Sequence, residues 1–435
     1  MQPPAFQRYT HKDPLKLHLG GTLPEFDIAY ETWGRMNEYK DNVILLTTGL
    51  SASSHAKSHD GNRTDGWWEK FVGPGLALDT NKYHIICTNV IGGCFGSTGP
   101  SSIDPISSAQ TGNPVRYANQ FPMVTIWDMV RAQFRLLDHL GISKLHAVVG
   151  SSMGGMQSLA AAALFPTRVG KVASVSACAR SHPCSIALRH VQRQAVLRDP
   201  AWKEGHYYPG KGPEEGLMMA RRIGTITYRS GPEWEIRFGR KRADARASRG
   251  FTPDYQIETY LEHQGRKWRN AYDANSFLYI SRAMDMFDMK DREAVVSELG
   301  DATDEKLESE ETLMNYAHTQ HLVSGMRTIQ CPTLVVGVKS DFLIPSWQQL
   351  EVADCLRAAG NASVTYVEID GVFGHDTFLV DVDNVGEAIR AHLDGHQAHG
   401  KESTNLVGLR LKETPAFNHW REPGQLEIRN PFLTA

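Results

Sequence analysis

The chain has 435 residues, 41% hydrophobic and 22% charged, with a formal net charge of −3 at neutral pH. This length suits one large core with a substantial insertion, or two domains. The balance of charge excludes nucleic acid as a main partner, because phosphate binding needs a basic surface. No apolar run approaches the roughly 18 residues of a membrane span, so a soluble chain with no membrane partner is expected.

From the start, residues 1–19 lack an apolar h-region, and no secretory signal is expected. Residues 22–33 alternate as a strand does and lead to a turn at Gly34. Residues 43–48 form a short apolar run, the pattern of a buried strand, and open into the small-residue loop 49–56. His55 and His59 stand four apart, but no third metal ligand lies nearby in sequence, so they read as loop or pocket-wall histidines. Residues 83–88 give another core strand, followed by the glycine-rich stretch 92–100. That stretch has neither a Gly-Lys-Ser/Thr ending nor dinucleotide spacing, and it reads equally as a pocket mouth or a long turn.

A helix is expected over 125–140, with Thr125 and Asp128 as its capping pair and apolar residues at helical spacing. Residues 145–149 form a short apolar strand. Gly150-Ser151-Ser152-Met153-Gly154 follows, and then a helix over 155–165 that stops at Pro166. A G-x-S-x-G between strand and helix is the nucleophile elbow, a strained turn that lifts its serine out at the carboxyl end of a sheet. After a strand over 172–178 the pattern changes. Residues 181–327 carry helices (186–197, 214–228, 253–263 and 274–287) and almost no strand, which reads as an inserted lid. Its basic run (Arg237 to Arg249) and acidic run (Glu298 to Glu311) read as solvated surface. The sheet resumes at 332–338 with Asp341 just beyond it, then a helix over 346–358, a strand over 363–369, and His375 in the next loop.

The order Ser152, Asp341, His375, each past a predicted strand, is that of an α/β-hydrolase triad. The fold class is therefore α/β, a mostly parallel sheet with an inserted helical lid. The segments are core 1–180, lid 181–327, core 328–395 and a C-terminal extension 396–435. His375 would take the proton from Ser152, Asp341 would fix the imidazole, and the Leu50 and Met153 N–H groups would form the oxyanion hole. The product is an acyl-Ser152 enzyme, and either water or an alcohol can resolve it. Six scattered cysteines without C-x-x-C spacing point to free, mostly buried thiols in a reducing compartment, the cytoplasm or the mitochondrial matrix.

Several stretches together resemble one family. They are Leu50-Ser51-Ala52-Ser53-Ser54-His55-Ala56, Gly66-Trp67-Trp68, the run from Asn89 to Ser102, the run from Gly150 to Met156, the run from Asp341 to Pro345, and Gly374-His375-Asp376. Over about residues 23–393 the chain is similar to the homoserine/serine O-acyltransferases of the α/β-hydrolase fold. The resemblance implies acyl-CoA (succinyl-CoA or acetyl-CoA) as co-substrate, with no bound cofactor and no metal, and a homodimer formed through the lid. It also implies that Arg221, paired with Tyr228, grips the amino-acid carboxylate, and that Asp376 holds its ammonium group. Where homoserine acetyltransferases carry His-Ala-Leu-Thr-Gly, this chain has Thr48-Gly49-Leu50-Ser51-Ala52, which looks more like the branch that acylates L-serine for cysteine biosynthesis. Acylation of L-homoserine for methionine biosynthesis is the alternative, and a serine esterase the third reading.

Overall fold

The computed structural model describes residues 6–246, 250–251, 253–292 and 316–395. The extension 396–435 and the acidic run from Glu298 to Glu311 lie outside the described residues. In chain order the main strands are β1 (Gln7–His11), β2 (Phe26–Trp33), β3 (Val43–Thr47), β4 (His84–Thr88), β5 (Ala147–Ser151), β6 (Val172–Val175), β7 (Thr333–Val338) and β8 (Val364–Ile369). They form one eight-stranded sheet in the order β1-β2-β4-β3-β5-β6-β7-β8. The pairs β1–β2 and β2–β4 are antiparallel, and the pairs from β4 onwards are parallel.

The inner strands are apolar at successive positions because both of their faces are covered. Leu45, Val148 and Val335 point to one face, into a core that includes Trp127, Phe134 and Leu159. Their neighbours Ile44, Leu46, Val149 and Val336 point to the other, towards Trp68, Phe71, Val385 and Ile389. The expected strand over 22–33 is broken. Thr22–Leu23 pairs with Leu15–Lys16 in a separate ribbon, and only Phe26–Trp33 joins the main sheet. Pro24 lies at the break and has no N–H to give a ladder.

Helices α1 (Ile126–His139) and α2 (Met153–Leu164) pack on the first of these faces. Thr125 and Asp128 make the expected capping box at the start of α1. Between β6 and β7 the chain leaves the sheet for α3 (Pro183–Leu197), α4 (Glu214–Tyr228), α5 (Gly231–Arg237), α6 (Gln256–Arg269), α7 (Ala274–Asp285) and α8 (Tyr316–Met326). The helix expected over 253–263 begins later and runs on to Arg269, because Glu258 accepts hydrogen bonds from the Asp254 and Tyr255 amides and so sets its start. Helix α5 was not anticipated; Ser230 caps it and Pro232 occupies its first turn, where a missing N–H is harmless.

Glycines let the lid helices approach closely. A Cβ at Gly216 would lie 2.4 Å from the Ala195 carbonyl oxygen, and one at Gly265 would lie 3.0 Å from that of Met218. The lid has its own apolar cluster, with Val196, Leu217, Trp268 and Phe277. Ile280 and Met284 of α7 and Leu322 and Met326 of α8 instead join the main core, so the later part of segment 181–327 is anchored in the body of the fold. The sheet then closes with α9 (Ser346–Ala358) and α10 (Val382–Asp394). No helix among the described residues is long and apolar enough to cross a membrane. All six cysteines are free; Cys87, Cys178 and Cys355 are buried, whereas Cys184 is exposed.

Candidate active site

At the carboxyl end of β5 the backbone turns sharply, and Ser152 adopts φ 56°, ψ −123°. A non-glycine residue holds such a conformation only where its surroundings over-determine it. Here the turn is wedged against β3: a Cβ at Gly150 would lie 2.1 Å from Thr47 Oγ1, and one at Gly154 would lie 2.4 Å from the Thr47 carbonyl oxygen. Both glycines of the motif are thus required by close backbone approach. Thr47 Oγ1 also donates to the Gly154 carbonyl at 2.8 Å and ties the elbow to the neighbouring strand.

Ser152 Oγ stands 2.8 Å from His375 Nε2, and His375 Nδ1 stands 2.7 Å from Asp341 Oδ2. The sheet brings together all three residues expected from sequence. Asp341 is held in place by the Ile344 amide, which donates to Oδ1 at 2.9 Å, and by Gln349 Nε2, which donates to Oδ2 at 3.2 Å. Burial opposes a charge on His375, but the adjacent Asp341 carboxylate outweighs it and raises the imidazole pKa above its ordinary value. The tight turn before His375 uses Gly374 at φ +64°, where a Cβ would collide with the Tyr228–Ser230 backbone.

A pocket of about 200 Å³ opens over Ser152 and is lined by Leu50, Arg189, Arg221, Tyr228, His375 and Asp376. The Leu50 and Met153 amides have no hydrogen-bond partner among the described residues, as an oxyanion hole requires. Tyr272 donates from the lid to the Leu50 carbonyl at 2.7 Å and fixes that peptide plane. Arg221 lies 5.4 Å from the Tyr228 ring and 5.3 Å from the Trp268 ring. Its Nε is buried without a partner, and it makes no ion pair among the described residues. Its NH1 donates to Ser51 Oγ at 3.5 Å, so the guanidinium, lying near two rings, keeps one donor unused beside the pocket.

Asp376 lines the same pocket, but Arg229 Nε lies 3.1 Å from its Oδ2. Burial holds the Asp376 pKa above the ordinary carboxylate value, and Arg229, His375 and Arg221 offset only part of that rise. Arg189 is a second buried guanidinium in the pocket; its Nε donates to Asp285 Oδ1 at 2.6 Å and its NH2 to Ser181 Oγ at 2.9 Å. Sequence reasoning missed Arg189, Tyr272 and Arg229, and no local motif distinguishes them from other lid residues.

The glycine-rich stretch and the histidine pair both lie outside this pocket. The glycine-rich stretch does not reach the pocket over Ser152; Cys94, Gly96, Ser97 and Thr98 line a separate cavity of about 440 Å³. The histidine pair does acquire a third group, because Glu31 of β2 lies 2.7 Å from His55 Nδ1 and 2.9 Å from His59 Nε2. The Gly61 amide donates to His59 Nδ1 at 3.2 Å, so the proton sits on Nε2 and this ring meets Glu31 as a donor. His55 Nε2 donates to the Thr64 carbonyl at 2.7 Å, and Ser54 Oγ donates to Glu31 Oε1 at 2.9 Å. The cluster reads as a clamp on the loop that carries Leu50.

Comparison with known proteins agrees with this geometry. Residues 42–382 match the α/β hydrolase fold family. A serine O-succinyltransferase of Emericella nidulans is 53% identical in an alignment 425 positions long that covers 89% of this chain and 81% of that protein. The crystal structure of a homoserine O-acetyltransferase from Bacillus anthracis superposes with a TM-score of 0.76 at 25% identity, covering 92% of this chain and all of that one. Esterase E22 superposes with a TM-score of 0.74 at 26% identity, covering 89% of this chain.

Proposed function

The chain belongs to the serine and homoserine O-acyltransferase family of the α/β-hydrolase fold, and we propose that it transfers a succinyl group from succinyl-CoA to the side-chain hydroxyl of L-serine. The 53% identity to a serine O-succinyltransferase, over nearly the whole chain, is the observation that carries the choice of serine over homoserine. Serine acylation serves cysteine biosynthesis.

Ser152 Oγ attacks the thioester carbonyl as His375 Nε2 takes its proton. The oxyanion forms against the Leu50 and Met153 N–H groups, and collapse expels the thiolate, which takes the proton back from His375. Asp341 keeps the imidazole in the required tautomer. The L-serine hydroxyl then gives its proton to His375 and attacks the acyl carbonyl, and collapse expels Ser152 Oγ, which takes the proton back from His375. Arg221 receives the acceptor's carboxylate and Asp376 its ammonium, opposite charges at the two ends of a zwitterion. Arg189 supports a donor with a carboxylate of its own, since it supplies a second guanidinium to the same pocket.

Transfer must outrun hydrolysis. Against ~55 M water, an acceptor near 1 mM needs an advantage of about 6 kcal/mol, supplied by an oriented hydroxyl and a covered pocket. The lid over Ser152 supports that reading. Exposed Val191 on α3 and exposed Met219 and Ile226 on α4 support a homodimer through the lid, for which sedimentation velocity should show a two-chain particle.

The test is thiol release from succinyl-CoA and, separately, acetyl-CoA, each with L-serine, L-homoserine or no acceptor, beside Ser152→Ala. Release that needs Ser152, succinyl-CoA and L-serine together is the expected result. Equal release without acceptor marks an esterase.

A further inference from the structure

Asp376 sits in a small charged group that the acyl-transfer chemistry does not itself explain. Arg229 lies between two carboxylates: its Nε is 3.1 Å from Asp376 Oδ2, and its NH1 is 2.6 Å from Glu233 Oε1. The Arg229 side chain is 16% exposed and that of Glu233 8%. Glu233 Oε2 is buried and accepts no hydrogen bond among the described residues. Arg237, the other cation near Glu233, is 3.9 Å away and 43% exposed, so solvent screens it. Ser230 Oγ accepts from the Glu233 amide and donates to the Val372 carbonyl, which fixes the start of α5 against the loop that carries His375 and Asp376.

The charges decide what this group can bind. Asp376, Glu233 and Arg229 together sum to −1, while Arg221 of the same pocket serves the acceptor's carboxylate and Arg237 is screened by solvent. If Arg229 stood alone beside Asp376, the pair would be neutral and indifferent to an ammonium group. If Arg229 were absent, burial would favour the uncharged acid, which cannot hold a cation. Glu233 offsets Arg229, and Arg229 keeps Asp376 ionised.

We propose that Arg229 and Glu233 are positioning residues that hold Asp376 as a net-negative receptor, so that the site selects acceptors bearing a cationic amino group over neutral hydroxy acids. The proposal rests on the acyl-transfer reading above and extends it to residues outside the pocket. The groups that face Asp376 are Arg229, His375, Arg221 and Asp341; Tyr260 also faces Arg229. Among the described residues, only Arg229 pairs directly with its carboxylate.

The experiment compares L-serine with 3-hydroxypropanoate, the same acceptor without its amino group, in wild type, Glu233→Gln, Arg229→Lys and Arg229→Gln. Labelling of Ser152 by a serine-directed phosphonate reports an intact triad in each. Glu233→Gln should raise the KM for L-serine about tenfold, with a much smaller change in kcat, and should leave the KM for 3-hydroxypropanoate within about twofold. Arg229→Gln should make the KM for L-serine fall as pH rises from about 6 to 8, because Asp376 must now ionise without its directly paired cation, and Arg229→Lys should largely restore the flat wild-type profile. If wild type responds to L-serine but Glu233→Gln and Arg229→Gln keep its KM and its flat pH profile, or lose activity equally towards both acceptors, the proposal fails while acyl transfer stands. If Glu233→Gln does not label, Arg229→Gln and Arg229→Lys decide by their pH profiles. If wild type itself shows no acceptor-dependent thiol release, the acyl-transfer reading falls and the proposal with it.

Discussion

Two carboxylate–histidine clusters stand in this protein with nearly the same first contact and different consequences. Asp341 Oδ2 lies 2.7 Å from His375 Nδ1, and Glu31 Oε2 lies 2.7 Å from His55 Nδ1. All four side chains are buried. The difference lies on the other ring nitrogen. His375 Nε2 faces Ser152 Oγ at the floor of a pocket, whereas His55 Nε2 is occupied by the Thr64 carbonyl. A proton can leave and return through the first ring. In the second it is fixed by a backbone acceptor, and the cluster can only bind the loop to the sheet. A carboxylate beside a histidine is therefore no sign of catalysis by itself; the partner of the second nitrogen decides.

The sharpest way to break the comparison is Asp341→Asn. It should lower kcat by about 10⁴-fold, because the amide stabilises the wrong imidazole tautomer. Circular dichroism should show a folded protein, and retention of even a tenth of the activity would contradict the assigned role.

The pH profile gives the next largest effect. His375 must be neutral to act as base and its pKa lies above 6.5, so kcat/KM should rise about tenfold per pH unit on the acid side and level off above a midpoint higher than 6.5. The same raised pKa adds stability that is complete below pH 6.5 and is lost as pH rises through the folded-state value. In Asp341→Asn the cause of the upward shift is gone, burial acts largely alone, and the midpoint of the residual activity should move to lower pH.

Glu31→Gln should have the smallest effect on chemistry and a clear one on stability. Replacing the carboxylate leaves the buried His55 donor and the His59 donor without their charged acceptor at a cost of about 3 kcal/mol, which for 435 residues at about 2.1 cal/mol/K each lowers Tm by roughly 3 °C. Differential scanning calorimetry reads the shift, and active-site titration of the folded enzyme should show kcat reduced less than about threefold. A loss comparable to that of Asp341→Asn, with Tm unchanged, would place Glu31 in the chemistry and erase the contrast.

Much of this was legible in the chain itself. Alternating apolar runs and helical periods gave the parallel sheet, and the lid showed itself as a long stretch without strands. Ser152, Asp341 and His375 could be named because each follows a strand signal, and the glycines at 150 and 154 mark a turn that no side chain fits. Such signals span a few residues, so they survive in one dimension. Arg221, Tyr228 and Asp376 were named through family resemblance, and all three line the pocket.

What remained was decided between residues far apart. Glu31 meets His55 across 24 residues, and Tyr272 reaches the Leu50 carbonyl across 222. Arg229 meets Asp376 only because Gly374 lets the last loop press against the backbone after α4. Periodicity encodes which face of an element is buried and motifs encode local turns, but neither encodes which charged side chains come to share a desolvated space. In this protein the sequence determined the fold and the order of the triad. The tertiary structure decided which histidine is free to move a proton, and which arginine stands beside the acid at the pocket's edge, because both depend on partners that only packing supplies.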